Sequence, residues 1–360
     1  MLQLPHEPVV AIVGATGAVG REMLAILEER AFPLRALRLF ASPRSRGVRL
    51  PFRGGEIACE TLEDAMAEGG GSLAGIDLAL LSAGKSTSLA WGPRLRDLGA
   101  LVVDNSSAFR GDPACPLVVP EVNPEALDAV DAPAIIANPN CSTILALVAV
   151  TPLHRAIGVE RMVAATYQAA SGAGAAAMAE LESQAHAFAR GTPYDTTIFG
   201  RPYLFNVFSH NSAVGDDGLN EEERKLAVET RRIWNAPDAR ISATCVRVPT
   251  LRAHAEAIHL ELSRATSENE VRVLLAAAPG LRIVDDRASN VFPEPLDAAG
   301  RDEVLVGRIR MDAGVPGDRG VALFLCGDQI RKGAALNAIQ IAERFLPASC
   351  AVAADASGAR

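Results

Sequence analysis

A strand, a glycine-rich turn and a helix follow one another near the start of this 360-residue chain. Val9–Val13 is an apolar run rich in β-branched residues, the heptapeptide Gly14-Ala15-Thr16-Gly17-Ala18-Val19-Gly20 comes next, and residues 21–30 favour a helix. Glycine allows a backbone to approach a pyrophosphate closely, and the first N–H groups of the following helix can bind it. This order, with its G-x-x-G-x-x-G spacing, predicts the first unit of a Rossmann-like, doubly wound α/β domain that binds a dinucleotide at the glycine turn.

The segment after the second predicted strand indicates which nucleotide binds. Residues 37–40 are followed by Ala41-Ser42-Pro43-Arg44-Ser45-Arg46, without the Asp or Glu that would accept a hydrogen bond from the ribose 2′-hydroxyl of NAD. Ser42, Arg44 and Ser45 offer hydroxyl and guanidinium donors instead, which suit a 2′-phosphate. The sequence therefore favours NADP(H) as the cofactor. The alternative is a solvated arginine-rich loop.

Composition restricts the class of protein. No apolar run approaches the roughly 18 residues of a membrane span, and the first residues lack the basic and apolar regions of a signal peptide, so we expect a cytoplasmic protein with no membrane partner. Six cysteines without a C-x-x-C pair argue against a disulfide framework and against a metal site. A net charge of −8 argues against nucleic acid as a partner.

One cysteine stands where a thiolate is stabilised. Asn138-Pro139-Asn140 is turn chemistry and residues 142–150 form an apolar run, so Cys141 is predicted in the first turn of a buried helix. Unpaired N–H groups and the positive end of the helix dipole lower the pKa of a thiol in that position. Cys141 is therefore a candidate nucleophile. The alternative is an inert buried thiol.

A β/α alternation continues through two further predicted strands, residues 77–81 and 101–104, with a helix near residues 89–98 between them. Both strands end in small or polar residues, at the edge where doubly wound sheets bind ligands. Arg110 follows the second of these strands and is a candidate anion ligand. The alternative is an ordinary surface arginine.

Two basic residues of the middle region are candidates for the chemistry. Alternation along residues 241–248 places Arg247 on an otherwise apolar face, where a guanidinium needs an anionic partner. His254 opens the next alternating run, residues 254–262, and is a natural proton-transfer group, although a lone histidine is more often structural.

Glu222 and Lys225 lie three residues apart on a predicted helix, residues 221–230. They form either an exposed ion pair or part of a polar site. Lys225 is one of only three lysines beside 32 arginines, which suggests that some of the remaining lysines stand where a compact ammonium is required.

These features occur together in the bacterial aspartate-semialdehyde dehydrogenase family, which the chain resembles from Val9 to about Phe345. The resemblance rests on ordered motifs: GATGAVG, SAG, VVDNSSAFR, VVPEVNP, NPNCST, TYQAASGAG, EERK, CVRVPTLRAH, VFPEP, VGRIR and IRKGAALNAIQIAE. It implies NADPH-dependent reductive dephosphorylation of L-4-aspartyl phosphate to L-aspartate 4-semialdehyde and phosphate through a cysteine thioester. The expected pathway is lysine (through diaminopimelate), threonine and methionine biosynthesis.

The resemblance also implies roles for individual residues. Cys141 is expected to be the nucleophile, His254 the acid/base, and Gln168 the group that orients the intermediate. Arg247 is expected to bind the substrate carboxylate and Glu222 its ammonium group. The expected phosphate ligands are Asn105, Arg110 and Lys225. Together with Gly14 and Ser42 from the turns above, the cofactor-binding positions are Thr16, Gly17, Ala18, Val19, Arg44, Ser45, Ser171, Gly172 and Asn337.

The expected organisation follows from the same resemblance. Residues 1–140 should form the NADP-binding domain, completed by a C-terminal helix at about 331–346 whose small residues permit close packing. Residues 141–330 should form an α+β, mixed-sheet catalytic and dimerisation domain, and residues 347–360 a frayed tail. The assembly is expected to be a homodimer or homotetramer.

Other functions stay open beside this one. N-acetyl-γ-glutamyl-phosphate reductase uses similar chemistry, but its cysteine stands in G-C-Y-P-T rather than N-P-N-C-S-T. A non-catalytic NADP-binding paralogue would lose the cysteine or the histidine, which this chain keeps. Two segments depart from the family pattern, Lys85 after Ser82-Ala83-Gly84 and Phe208-Ser209-His210-Asn211.

Overall fold

The computed structural model describes residues 1–67 and 73–350. The chain divides into two compact units, one formed by Met1–Pro139 with the chain from Ala334 onwards, the other by Asn140–Gly333. Each unit contains a seven-stranded sheet. The α/β class predicted from the sequence is confirmed, whereas the division of function between residues 1–140 and 141–330 stays a prediction.

The first unit is a doubly wound sheet of order β3-β4-β2-β1-β5-β6-β7, parallel except for the β3–β4 pair. Its elements, in chain order, are β1 (Val9–Val13), α1 (Ala18–Glu29), β2 (Ala36–Phe40), β3 (Arg49–Phe52), β4 (Gly55–Glu60), α2 (Leu62–Ala67), β5 (Leu78–Leu81), α3 (Lys85–Asp97), β6 (Leu101–Asp104) and β7 (Ile135–Ala137). After β2, the chain builds β3 and β4 and then returns across β1 to form β5. The carboxyl end of β1 is thus a topological switch point, where such sheets bind ligands.

The start of helix α1 differs from the expectation. It begins at Ala18, three residues before the predicted Arg21, because Gly17 is extended (φ −73°, ψ 169°) and serves as the N-cap. The helix therefore starts inside the glycine motif. Every residue of β5 and β6 is buried, as expected for parallel strands that are covered on both faces.

The second unit contains a mixed sheet of order β12-β13-β14-β11-β8-β10-β9. Its elements are α4 (Cys141–Ile157), β8 (Val159–Gln168), α5 (Ala175–Ala189), β9 (Phe208–Ser209), α6 (Glu221–Ile233), β10 (Arg240–Arg247), β11 (His254–Leu262), α7 (Glu268–Ala276), β12 (Leu281–Ile283), α8 (Pro295–Ala298), β13 (Val304–Met311) and β14 (Gly320–Gly327). Strand β8 pairs in parallel with β10 and antiparallel with β11.

The last helix, α9 (Leu336–Glu343), belongs to the first unit. Its buried residues join the core that α1 and the parallel sheet form, and Glu343 accepts a hydrogen bond at 2.6 Å from Arg30, the C-cap residue of α1. Beyond it, Ala348–Cys350 forms a 3₁₀ turn. Residues 351–360 of the tail predicted for residues 347–360 lie outside the described residues.

Candidate active site

Cys141 is the first residue of α4, as its sequence context predicts. Asn140 is the N-cap, and its side-chain oxygen accepts a hydrogen bond from the Thr143 N–H at 3.2 Å. Cys141 is partly exposed, whereas the following residues 142–151 are all buried and anchor the helix. A Cβ at Gly333 would lie 2.9 Å from the Cys141 Cβ, so a glycine is required for this close approach.

Three strands bring side chains to one edge of the second sheet. The parallel strands β8 and β10 end in register at Gln168 and Arg247. Strand β11 runs the opposite way and begins there with His254, since Ala255 pairs with Tyr167. The Gln168 Nε2 donates a hydrogen bond to the Ser142 Oγ at 3.0 Å, which connects this edge to the residue after Cys141.

His254 is fully buried in its neutral form. The Ala169 N–H donates to its Nδ1 at 3.0 Å, so in the neutral ring Nε2 carries the proton. Burial, with the Arg247 charge nearby, lowers the pKa of His254 to about 3. Within the described part of the chain, Nε2 has no hydrogen-bond partner. His254 can therefore donate this hydrogen to a bound substrate oxygen.

Arg247 is also buried, with 3% of its surface exposed. Its Nη1 donates to the Ala169 carbonyl oxygen at 3.0 Å. A Cβ at Gly172 would lie 2.9 Å from this Nη1 and 3.1 Å from the His254 Nε2. Glycine at position 172 thus leaves the space that the guanidinium and the imidazole occupy.

Glu222 lies in the first turn of α6, whose start is held by a capping box of Asn220 and Glu223. It accepts hydrogen bonds from the Asn140 Nδ2 at 2.7 Å and from the Lys225 Nζ at 3.3 Å. Burial opposes the ionisation of Glu222. The charge of Lys225, the electrostatic effect of His210 and the hydrogen bond from Asn140 outweigh burial and lower the pKa of Glu222 to about 2. Of the two alternatives for this pair, the exposed ion pair is wrong, because Glu222 is 5% exposed.

Sequence reasoning gave no role to three residues that the structure places here. Asn140 contacts Glu222, and His210 contacts Arg247. Glu256 is fully buried, and burial and the nearby Glu222 charge raise its pKa, although a hydrogen bond with Ser142 opposes this shift. Period-two alternation puts Glu256 on the same face of β11 as His254, a signal that the sequence already contains.

The first unit holds the predicted nucleotide-binding residues at the end of β1. Gly14 has φ +91°, and a Cβ there would lie 2.9 Å from the backbone of Ser82, so the turn requires glycine. No side chain caps the start of α1, which leaves its N–H groups to a ligand. Beyond β2, Ser42 and Arg44 are exposed and Ser45 is partly exposed, in a 3₁₀ turn. Lys85 is exposed at the start of α3.

Asn105 and Arg110 lie together in the same unit. Arg110 donates to the carbonyl oxygens of Asn105 and Asn138 at 2.8 and 2.9 Å. The Asn105 Oδ1 is buried and has no partner within residues 1–67 and 73–350. Asn337 is buried and its amide donates to the Val118 carbonyl oxygen and to the Asn138 Oδ1, so it has a packing role, and its cofactor contact stays a prediction.

The two remaining cofactor candidates, Ser171 and Gly172, lie in the second unit in the turn after β8. The Ser171 hydroxyl accepts a hydrogen bond from the buried Gln329 amide. Across both described ranges, no helix is both long and apolar enough to cross a membrane, and no cluster of three or more His, Cys, Asp or Glu side chains could hold a metal ion.

Comparison with known proteins first defines the class. Two family models match, described as semialdehyde dehydrogenase, NAD binding domain, over residues 9–130 and semialdehyde dehydrogenase, dimerisation domain, over residues 150–332. Because these models cover more than half of the chain, the protein belongs to the semialdehyde dehydrogenase class.

Individual relatives narrow this class. An aspartate-semialdehyde dehydrogenase of Synechocystis sp. is 51% identical over 94% of this chain and 98% of its own length. One from Aquifex aeolicus is 46% identical over 93% of this chain and 96% of its own. The crystal structure of aspartate semialdehyde dehydrogenase II from Vibrio cholerae, complexed with ASA, superposes with a TM-score of 0.90 at 41% identity and covers 95% of this chain and 98% of that one. The chain therefore belongs to the aspartate-semialdehyde dehydrogenase family, which confirms the resemblance seen in its motifs.

Proposed function

We propose that the protein reduces L-4-aspartyl phosphate to L-aspartate 4-semialdehyde with NADPH, through a thioester on Cys141, in lysine, threonine and methionine biosynthesis. The observation that carries this proposal is the edge of the second sheet, where Gln168, Arg247 and His254 are brought together and Gln168 is bonded to the residue after Cys141. Cys141 is the proposed nucleophile, Arg247 the anion ligand and His254 the proton donor. Thioester chemistry on an anionic substrate requires these three kinds of group.

The first half-reaction is acyl transfer. The Cys141 thiolate attacks the carbonyl carbon of the acyl phosphate, the C–O bond to phosphate breaks with its electron pair, and inorganic phosphate leaves. Cys141 lies at the start of α4, where backbone N–H groups stabilise the negative charge that develops on the carbonyl oxygen. Gln168 is held by Ser142 and is proposed to orient the acyl group.

The second half-reaction converts the thioester to the aldehyde. When bound, NADPH supplies the hydride that reduces the thioester carbon. The His254 Nε2–H donates a hydrogen bond to the oxyanion of the resulting thiohemiacetal. As this oxyanion re-forms the C=O bond, the C–S bond breaks with its electron pair, which releases the aldehyde and restores the Cys141 thiolate. The buried, neutral imidazole suits this role because the tautomer is set by the Ala169 N–H.

Substrate recognition is proposed to use the charged groups around this chemistry. Arg247 is a planar fork for the α-carboxylate, and Glu222, ionised because its pKa is about 2, is a partner for the α-ammonium. Lys225 is proposed as a point charge for phosphate. Asn105 and Arg110 are proposed as phosphate ligands from the family resemblance.

NADP(H) is the proposed cofactor, and the first unit fits it. Gly14, Thr16, Gly17, Ala18 and Val19 form the turn and helix start that would hold the pyrophosphate. Ser42, Arg44 and Ser45 follow β2 with no carboxylate among them, and Arg44 makes no ion pair within the described chain, whereas Arg46 is paired with Asp64 at 3.2 Å. An exposed, unpaired guanidinium is suited to the 2′-phosphate that distinguishes NADP from NAD.

The direct test is the reverse reaction, in which L-aspartate 4-semialdehyde reduces NADP in the presence of phosphate. The absorbance of the NADPH formed measures the rate. We expect turnover with this substrate and none with N-acetylglutamate semialdehyde. Replacing NADP with NAD should raise the cofactor KM in the wild type, and Arg44→Ala should reduce that difference. Turnover of the N-acetylated substrate would favour the reductase alternative, and no turnover of either would favour a non-catalytic paralogue.

We propose a homodimer or homotetramer as the assembly. The supporting observation is the match of residues 150–332 to a family model described as a dimerisation domain. Light scattering coupled to size-exclusion chromatography should give a mass of two or four chains, and a single-chain mass would contradict the proposal.

A further inference from the structure

The segment Phe208-Ser209-His210-Asn211, which departs from the family pattern, lies beside Arg247. Strand β9 pairs antiparallel with the end of β10, where Phe208 is opposite Arg247. The His210 N–H donates to the Cys245 carbonyl oxygen at 2.9 Å. Phe208 is buried against the rings of Phe199 and Tyr203, with ring centroids 5.5 Å away in both cases. Packing and pairing therefore hold the backbone of this segment against the strand that carries the guanidinium.

Three of the five N–H donors of Arg247 are engaged by identified acceptors. Nε donates to the Asn211 Oδ1 at 3.1 Å and Nη1 donates to the Ala169 carbonyl oxygen at 3.0 Å. Nη2 donates to the His210 Nε2 at 2.9 Å. One N–H then remains on each terminal nitrogen, without a protein acceptor in the described residues. With one donor left on each of Nη1 and Nη2, the guanidinium can bind the two oxygens of a carboxylate as a bidentate pair.

This arrangement determines the tautomer of His210. An arginine N–H can only donate, so Nε2 is the acceptor and Nδ1 carries the proton, which it donates to the Ser212 Oγ at 3.0 Å. In this tautomer Nδ1 cannot accept the hydrogen bond from the Ser212 N–H, which lies 3.2 Å away. The hydrogen bond from the charged Arg247 guanidinium is stronger than that neutral contact and therefore decides the tautomer. Burial and the nearby Arg247 charge lower the pKa of His210 to about 4, which keeps the ring neutral near pH 7.

The other end of the ring leads to the proposed ammonium site. The Ser212 Oγ, which accepts from the His210 Nδ1, also accepts from the Glu222 N–H at 3.4 Å. Through Ser212, His210 therefore connects the start of α6 with the guanidinium on β10. The proposed partners of the substrate carboxylate and ammonium group are held relative to each other by one neutral ring.

We propose that His210, as the neutral Nδ1–H tautomer, is a positioning residue that holds Arg247 in the orientation for bidentate binding of the substrate α-carboxylate, a role that rests on the function proposed above. The side-chain contacts of His210 are with Arg247 and Ser212. It acts on the affinity for the amino-acid end of the substrate and leaves the acyl-transfer chemistry to other residues.

Two substitutions separate the two ends of the ring. In His210→Gln the side-chain amide reaches the position of Nε2, and its oxygen can still accept from Arg247. In His210→Asn the amide reaches only the position of Nδ1, so the bond to Ser212 can persist while the bond to Arg247 is lost. His186→Asn, at an exposed histidine of α5, is the matched control. The reverse reaction is measured for each variant, with the KM for semialdehyde and for phosphate determined separately.

We expect His210→Asn to raise the KM for L-aspartate 4-semialdehyde at least about tenfold, the loss expected for a hydrogen bond to a charged group. The KM for phosphate and the rate at which iodoacetamide alkylates Cys141 should stay within about twofold of the wild type, since the thiolate and the phosphate ligands do not depend on His210. His210→Gln and His186→Asn should keep the wild-type KM for semialdehyde within about threefold.

The inference would be overturned by an asparagine variant with an unchanged semialdehyde KM, by equal losses in the glutamine and asparagine variants, or by a parallel rise in the phosphate KM. A lowered melting temperature with an unchanged KM in the asparagine variant would likewise assign His210 a structural role only. A wild-type protein that does not turn over the semialdehyde would overturn the proposed function itself, which keeps the two failures distinguishable.

Discussion

Buried polar side chains are the main feature of the proposed site at the residue scale. Arg247 and Glu222 are buried charges, and each is compensated by hydrogen-bond partners in the protein. Burial lowers the pKa of His254 and raises that of Glu256, which favours the neutral form of each side chain. Buried polar groups lower the stability of the folded protein unless they are paired. A cluster of them is therefore typical of a functional site.

The nucleophile gives a residue-scale prediction. Cys141→Ser should lower kcat at least about a thousandfold, because a hydroxyl is a far weaker nucleophile near neutral pH. NADP binding, measured by fluorescence titration, should stay within about twofold, since the nucleotide-binding residues are unchanged. Mass spectrometry of the wild type after mixing with the acyl phosphate should place the acyl group on the peptide that contains Cys141. Burial raises the pKa of Cys245 and Cys326, and labelling of either thiol would refute the assignment.

Arg247 and Lys225 give a second residue-scale prediction, because they are proposed for different anions. Arg247→Lys keeps the charge but loses the donors on Nη1 and Nη2, so the KM for semialdehyde should rise about tenfold or more while that for phosphate changes little. Lys225→Ala should raise the KM for phosphate more than that for semialdehyde. Steady-state kinetics of the reverse reaction measures both constants. Parallel shifts in both variants would show that the two anion sites are misassigned.

At the scale of elements, the site depends on where strands end and helices begin. Strands β8 and β10 deliver Gln168 and Arg247 at their ends, and helices α4 and α6 carry Cys141 and Glu222 in their first turns. The first turn of a helix provides unpaired N–H groups. The last residue of a strand is held in place by the paired sheet behind it, so its side chain has a fixed orientation. A change at a helix cap should therefore affect the groups that the first turn carries.

The capping box of α6 gives the element-scale prediction. Asn220 is buried, its side-chain oxygen accepts from the Glu223 N–H at 2.9 Å, and its own N–H donates to the Glu223 carboxylate at 2.9 Å. Asn220→Ala should lower the free energy of unfolding by about 1 kcal/mol, the usual cost of a lost N-cap, whereas Asn220→Ser should retain most of that free energy. Urea unfolding followed by far-UV circular dichroism measures both variants. Equal losses in the alanine and serine variants would show that the cap is not the source of the effect.

Glu256 gives a prediction at the scale of the whole molecule, since it concerns the pH dependence of stability. Burial raises the pKa of Glu256 in the folded protein, so above about pH 4.5 the unfolded chain loses a proton that the folded chain keeps. The stability that this group contributes at low pH is thus lost as the pH rises. Glu256→Gln cannot titrate, so its free energy of unfolding relative to that of the wild type, measured by urea unfolding, should increase between pH 5 and pH 8 by up to about 1.4 kcal/mol per pH unit. A difference that is constant or decreases over this range would contradict a neutral Glu256.

The histidines act in the opposite direction. The pKa values of His254 and His210 are lowered to about 3 and 4 in the folded protein, so below about pH 6.5 the unfolded chain takes up protons that the folded chain does not. Stability should therefore fall as the pH drops from 6.5 toward 4. In His210→Gln this acid-side loss should be smaller than in the wild type, which thermal melts across that range can check.

Sequence patterns among residues close together in the chain were sufficient to predict several elements of the fold and several residues of the proposed site. The order of strand, glycine turn and helix predicts the doubly wound unit, and turn chemistry before an apolar run predicts Cys141 at the start of α4. Period-two alternation predicts that Arg247 is buried on an apolar face. These signals are local, since caps, turns and periodicity involve residues only a few positions apart.

Only the tertiary structure decided how these residues meet. Pairing of β8 with β10 on one side and β11 on the other places Gln168, Arg247 and His254 at one edge, although they lie up to 86 positions apart in the chain. The tertiary structure also decides the burial of Glu222 and Glu256, the tautomers of His210 and His254, and the contact of His210 with Arg247. The reason is physical: the charge state and orientation of a polar side chain depend on the solvent and partners that the whole fold leaves to it, which residues near it in sequence do not determine.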